Sequence, residues 1–364
     1  MRRAFACVAL LGLAALALYL AFRSNREAQP PPRPPGGARV PRFVVGFDDD
    51  TLKWTPRPLA VVRRERSVGA DAVRVWVPWY GEAAPGPVRR TELARAERAA
   101  TRTVVVLAVF GFASQTPATD VAQARFCGYA RSVLAAVPHA RAVAVWNEAN
   151  SRAYWRGSAA QYERLLARCY DVLHALRTGI TVLDSTASAH APGAFLRALG
   201  SAYRASGRRA PLVDAFGHNP YPRTSREQPW ATHSADFLGE GDYARLVAVL
   251  DRAFGGTAQR SRAIWYLEDG FQTTTPVRTL SAYGGREDAV TVDAAEQAER
   301  LRAAILLAAC QSDVRAFFNF ELVDERRLRG WQSGIFWRGA GPKPAAAAFA
   351  RAAALVRSGD VVCG

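Results

Sequence analysis

What most limits this chain is a repeat of pattern rather than of sequence. Short apolar runs alternate with longer stretches of Ala, Arg and Leu at helical period. The runs fall at Phe43–Phe47, Ala72–Val77, Thr103–Phe110, Ala142–Trp146, Thr181–Leu183, Leu212–Phe216, Ala263–Leu267 and Ala316–Phe320. Helical stretches between them include Ala118–Val137, Ala159–Arg177, Tyr243–Phe254, Asp293–Cys310 and Ala345–Val356. A strand that is apolar without alternation is buried on both faces, as in a parallel sheet, and parallel neighbours need a crossover helix. Eight such units predict an α/β protein of one domain, a closed (β/α)8 TIM barrel. An open, doubly wound sheet is the alternative. It ordinarily carries a Gly-rich phosphate loop after the first strand, where this chain has Gly46-Phe-Asp-Asp-Asp50.

Ahead of the barrel the composition changes twice. Met1-Arg2-Arg3, an apolar run from Ala4 to Phe22, then Arg23 and Arg26 mark residues 1–23 as a signal peptide or a membrane anchor. No small-x-small cleavage site follows at once, which favours the anchor, with cleavage as the alternative. Residues 24–41, with Pro30–Pro32, Pro34, Pro35 and Pro41, form an extended linker. The catalytic domain is then 42–364, outside the cytoplasm, membrane-anchored or secreted.

Cys7 lies within the apolar run, leaving Cys127, Cys169, Cys310 and Cys363. In an oxidising compartment four thiols allow three pairings. Cys127 and Cys169 fall in successive helices, and Cys310 precedes the tail that carries Cys363. Those two pairs are expected, with buried free thiols as the alternative. Neither C-x-x-C nor H-E-x-x-H occurs, so no zinc site is expected.

The formal charge of +16 invites a nucleic-acid reading. Its carriers are almost all Arg, spread over helices, and the only lysines are Lys53 and Lys343. No nucleic-acid partner is expected, and the chain is read as a monomer.

Polarity enters abruptly at two strand ends. Ala142-Val-Ala-Val-Trp146 runs into Asn147 and Glu148, and Ala263-Ile-Trp-Tyr-Leu267 runs into Glu268. Barrel enzymes keep their chemistry at the carboxyl ends of strands. Counted along the chain, the two glutamates end the fourth and seventh strands, which face each other across the mouth. Such a pair suits acid/base and nucleophilic work on one bound sugar. The plainer alternative is two surface carboxylates in salt bridges.

Trp146-Asn147-Glu148-Ala149-Asn150 resembles the W-N-E-P-N motif of clan A retaining glycoside hydrolases. These (β/α)8 enzymes include cellulase-like, mannanase-like and xylosidase-like families. Leu267-Glu268-Asp269-Gly270 resembles their seventh-strand T-E-[FY]-G motif. The resemblance implies Glu148 as general acid/base, Glu268 as nucleophile and Asn147 as partner of the sugar 2-hydroxyl. It implies Arg74 beneath the nucleophile, and His218 and Tyr221 beside it. Ala149 and Asp269 depart from the motifs, the third strand lacks a histidine, and the eighth ends Phe318-Asn-Phe-Glu321 without the family's tryptophan. Trp331 or Trp337 is expected to supply that platform.

Trp79, with Trp76, Tyr80, Tyr154 and Trp155, lies where sugar-stacking rings are expected. Asp48–Asp50 and Glu321 also fall at strand ends. The reading is a retaining glycoside hydrolase acting on an oligo- or polysaccharide without metal or organic cofactor. The alternative is an inactive barrel that binds cell-envelope glycan, with the N-terminal segment on the membrane in either case.

Overall fold

The computed structural model describes residues 43–185, 187–234 and 237–363; the segments expected at 1–23 and 24–41 lie outside the described residues. Nine parallel strands form one sheet: β1 (Val44–Asp48), β2 (Ala72–Pro78), β3 (Val104–Phe110), β4 (Ala142–Val145), β5 (Thr181–Asp184), β6 (Ala187–Ser188), β7 (Phe216–Asn219), β8 (Ile264–Asp269) and β9 (Val314–Phe320). Helices cover its outer face: α1 (Pro58–Ser67), α2 (Pro87–Ala100), α3 (Asp120–Ala136), α4 (Ala159–Leu176), α5 (Pro192–Ser206), α6 (Tyr243–Phe254), α7 (Ala294–Cys310) and α8 (Pro344–Ser358).

The strand order is β5-β4-β3-β2-β1-β9-β8-β7-β6, and the ring closes where Leu183 bridges in parallel to Ala215. There the Asp214 amide donates to Val182 O at 2.8 Å, and the Gly217 amide to Asp184 Oδ1 at 2.6 Å. A Cβ on Gly217 would lie 2.3 Å from Asp184 O, so only glycine allows this approach. Because β5 and β6 are successive pieces of the fifth stave, nine strands make a (β/α)8 barrel.

Two apolar clusters follow from strand alternation. Inward residues such as Ala72, Val106, Ala108, Ala144, Leu183, Leu267 and Phe318 fill the barrel. Outward residues, among them Val75, Leu107, Val143 and Tyr266, pack under the helices. Local signals set the helix starts. Ser158 and Gln161 form a capping box on α4, Asp293 caps α7 through the Ala295 and Glu296 amides, and α1, α2, α5 and α8 open with proline.

One strand lies elsewhere than expected. The sixth stave is Phe216–Asn219, not Leu212–Phe216. The Leu212 and Val213 amides bond to the Gln259 side chain, and Asp214 accepts from Tyr170 and the Val182 amide. These apolar residues are buried by a side-chain-pinned loop, and the strand runs through a Gly-His-Asn stretch of low strand propensity.

Disulfides join Cys127 to Cys169 (α3 to α4) and Cys310 to Cys363 (α7 to the tail). Both lysines are buried. Lys53 pairs with Asp50 at 2.6 Å and bonds Trp76 O. Lys343 ties three loop positions, at 2.6 Å to Asp324, 2.7 Å to Thr273 Oγ1 and 3.0 Å to Gln332 O. Among the described residues no helix is long and apolar enough to cross a membrane.

Candidate active site

At the carboxyl end of the barrel the site is built around Arg74, which has no exposed surface. Its position in β2 points the guanidinium into the mouth. Nη1 donates to Glu268 Oε1 at 2.7 Å and to Asp48 Oδ2 at 2.5 Å; Nη2 donates to Asn147 Oδ1 at 3.2 Å. One cation thus joins the ends of β1, β8 and the turn after β4. Burial of the cation opposes its charge, but the two carboxylates outweigh that and raise the Arg74 pKa further. Trp76, two residues on and facing the same way, gives its indole N–H to Asp48 Oδ2 at 2.8 Å.

Glu268 ends the apolar run of β8. Its Oε1 is held by Arg74, and Tyr221 donates to Oε2 over a longer 3.4 Å. Burial raises this carboxyl above its ordinary range, while Arg74 and Tyr221 pull it back. Glu148 has a different setting. It sits on the turn after β4 and accepts from Asn219 Nδ2 at 3.0 Å through Oε1. No cation bonds it. Burial first, then the charge of Glu268, push the Glu148 carboxyl up to about 7.

The backbone around Glu148 is unusual. Trp146 (φ 72°) and Glu148 (φ 39°) are both left-handed, a conformation costing about 1–3 kcal/mol per non-glycine residue. Packing holds it: the Trp146 ring lies edge-on to Phe126 and Trp155, 5.3 and 5.4 Å between centroids.

Aromatic rings wall both sides. Beside Glu268, Tyr221 leans on Trp331 at 4.8 Å, and Phe320 meets Trp331 edge-on at 5.4 Å. Beside Glu148, Tyr154 stacks with Phe112 at 6.2 Å and Phe112 with the exposed Tyr80 at 6.4 Å.

The structure gathers Glu148, Glu268, Asn147, Arg74 and Tyr221 at one mouth, with Trp331 on its wall. Two expected positions are elsewhere. Trp79 is buried, edge-on to Phe126 with its N–H on Glu82 O at 2.7 Å, so its ring fills core space. His218 is buried with its ring nitrogens 2.9 and 2.8 Å from Ala187 O and Leu238 O. The ring thus lies between β6 and the loop after β7 rather than against Glu268, and burial lowers its pKa to about 4. The mouth position belongs to Asn219. Period-two alternation within β7 is the signal that separates them, since it sets Asn219 and His218 on opposite faces. Asp48, one of several strand-end acids with nothing in the sequence to single it out, shares Arg74 with Glu268. Of the motif departures, Ala149 is buried, and Asp269 turns away from the mouth to accept from the Gly270 amide at 2.7 Å.

No family model matches the sequence, and no curated protein matches it. Solved structures do match in fold. A family 39 glycoside hydrolase from the gut symbiont Bacteroides cellulosilyticus WH2 superposes with a TM-score of 0.63 at 16% identity, over 87% of this chain and 66% of that one. GH5_18 from Streptomyces cattleya, in complex with GlcNAc, gives 0.57 at 18% identity, over 88% and 82%. A GH2 β-galacturonidase from Eisenbergiella tayi gives 0.54 at 12% identity, over 88% and 51%. This chain therefore spans just under two thirds of the first neighbour and about half of the last. It shares with them the (β/α)8 fold on which clan A glycoside hydrolases are built.

Proposed function

We propose that the protein is a retaining glycoside hydrolase acting on an oligo- or polysaccharide outside the cytoplasm. The observation that carries this reading is the unequal treatment of two strand-end glutamates, Glu268 ion-paired to buried Arg74 and Glu148 left without a bonded cation. A nucleophile must stay ionised, and a proton donor must hold its proton near neutral pH.

In the first step Glu268 attacks the anomeric carbon and the glycosidic C–O bond breaks. Oε1 is engaged by Arg74 at 2.7 Å, so the attacking atom is Oε2, which Tyr221 meets over a longer 3.4 Å. Glu148 gives its proton to the leaving oxygen. Because Oε1 accepts from Asn219, that proton sits on Oε2. The ionised Glu148 then takes a proton from water, whose oxygen attacks the anomeric carbon and frees Glu268. Asn147, turned by Arg74 and by Ser185 at 3.2 Å, is placed to meet the sugar 2-hydroxyl. Tyr221 and Trp331 offer ring faces to the sugar. Two disulfides favour an oxidising compartment, with residues 1–23 as the membrane link.

The test is a panel of activated 2-deoxy-2-fluoro glycosides with intact-mass detection. A sugar-sized mass gain that maps to Glu268 and vanishes in Glu268→Ala is expected. Hydrolysis with inversion of the anomeric configuration would overturn the mechanism.

A further inference from the structure

Beside the catalytic pair lies a cavity of about 500 Å³ between the ends of β1, β2 and β9. Its aromatic lining is Trp54, Trp76 and Phe320, with the Trp54 side chain 64% exposed at the rim. Its floor is acidic: Asp48, Asp49, Asp50 and Glu321 all line it. Their compensation is uneven. Asp50 is paired with Lys53, and Asp49 accepts from the Thr51 and Leu322 amides at 2.7 and 3.1 Å. Asp48 shares Arg74 through Oδ2, but its Oδ1 is buried with no hydrogen-bond partner, and the residue is 2% exposed. Glu321 Oε2 is likewise buried and unpartnered.

Arg326, Arg327 and Arg338 also border the cavity, and two of them, Arg326 and Arg327, are exposed. A solvated guanidinium demands no partner, whereas a buried carboxylate oxygen left unpaired costs about 1–3 kcal/mol or more. The unmet demand is therefore for a hydrogen-bonding partner beside Glu321 and Asp48 at the floor.

We propose that this cavity is a glycan subsite for a sugar bearing a free primary ammonium, an unacetylated amino sugar, with the partly exposed Glu321 carboxyl as its hydrogen-bonding counter-group and buried Asp48 behind it. The inference rests on the glycosidase reading only for calling the ligand a sugar. The ring stacks on Trp54, Trp76 or Phe320 while the ammonium reaches the floor, a division of labour natural to a molecule with one apolar face and one charged substituent. Burial first, then the charges of Asp49, Glu325, Asp48 and Asp324, push Glu321 up to about 10 although the buried ammonium of Lys343, paired with Asp324, also lies within its field, so Glu321 is protonated at neutral pH. A ligand already protonated as the ammonium therefore releases the Glu321 proton to the buffer when it binds, so the measurement is made below the pKa of the amine, where the free amine that would take up that proton is scarce.

Calorimetry on the full-length Glu148→Gln protein tests this without turnover. The probes are glucosamine and galactosamine oligomers, their N-acetylated forms, the matching neutral hexose oligomers and uronate oligomers. The amino members should bind about 10–100-fold more tightly than the neutral and acetylated ones, with proton release read from the buffer dependence of the heat. Glu321→Gln, close to isosteric, should remove both the preference and the proton. Equal or tighter binding of neutral, acetylated or uronate members overturns the inference, as does no binding by the amino members. The two readings fail separately. Amine preference without hydrolysis of any glycoside would retain the subsite and remove the enzyme, and hydrolysis of neutral glycosides alone would do the reverse.

Discussion

Glu148 and Glu268 end strands of one barrel, are both largely buried, and are held in opposite ways. Glu268 sits in a lattice of charge: Arg74 bonds it and Asp48 together, and Tyr221 closes the far side. Glu148 sits on a strained turn with one neutral amide for company. Burial acts on both, so burial alone separates nothing. The difference lies in the cation, which favours the ionised form of the group it touches. In the proposed mechanism the same buried setting leaves one carboxyl to act as nucleophile and the other as acid.

The largest test of this contrast removes each carboxyl in turn. Glu268→Ala should lower kcat on the order of 10⁴-fold or more for every substrate. Glu148→Ala should cost about 10²–10⁴-fold with poor leaving groups and little with a dinitrophenyl leaving group, which needs no proton. Equal losses with both leaving groups would erase the assignment.

Next comes Arg74→Met, which leaves Asp48 and Glu268 buried without their cation. We expect a loss of about 3–5 kcal/mol in denaturant unfolding at pH 7. The deficit should shrink on acidification, because both carboxyls have raised pKa values and protonate to relieve it.

The smallest expected effect lies in the pH profile. Glu148 must be protonated to donate, so kcat/KM should fall as pH rises through about 7. Asn219 lowers that pKa through its hydrogen bond, so Asn219→Ala should move the basic limb upward by about 0.5–1 pH unit. A limb that stays in place would assign it to another group.

How much of this is legible in the sequence differs between fold and site. The barrel can be read because double burial leaves continuous apolar runs, and the helices match to within a few residues, Tyr243–Phe254 at both ends. Glu148 and Glu268 stand out because a doubly buried strand turns polar only where it reaches the barrel mouth. Asp48 and Asn219 do not. Each lies at a strand end with several polar neighbours, and only the rotation of the strand selects which one enters the mouth. Trp79 misleads for the same reason: a tryptophan near a strand end packs inward or outward according to register. Leu212 and Val213 have strand composition in a loop, because the Gln259 side chain, far along the sequence, takes their amides.

The two buried lysines have a practical consequence. Of 48 basic residues only Lys53 and Lys343 carry a primary amine, and both are enclosed by mouth loops. Burial lowers Lys343 to about 8 while it is enclosed; once uncovered it loses that shift and reacts as an ordinary surface amine, so acylation at alkaline pH would read its exposure. Amine-directed acylation, which on most proteins reports the outer surface, would here report the opening of those loops. Apart from the α-amino group, each modified site would time one loop: Lys53 beside the acidic cavity, Lys343 beneath the segment that carries Trp331.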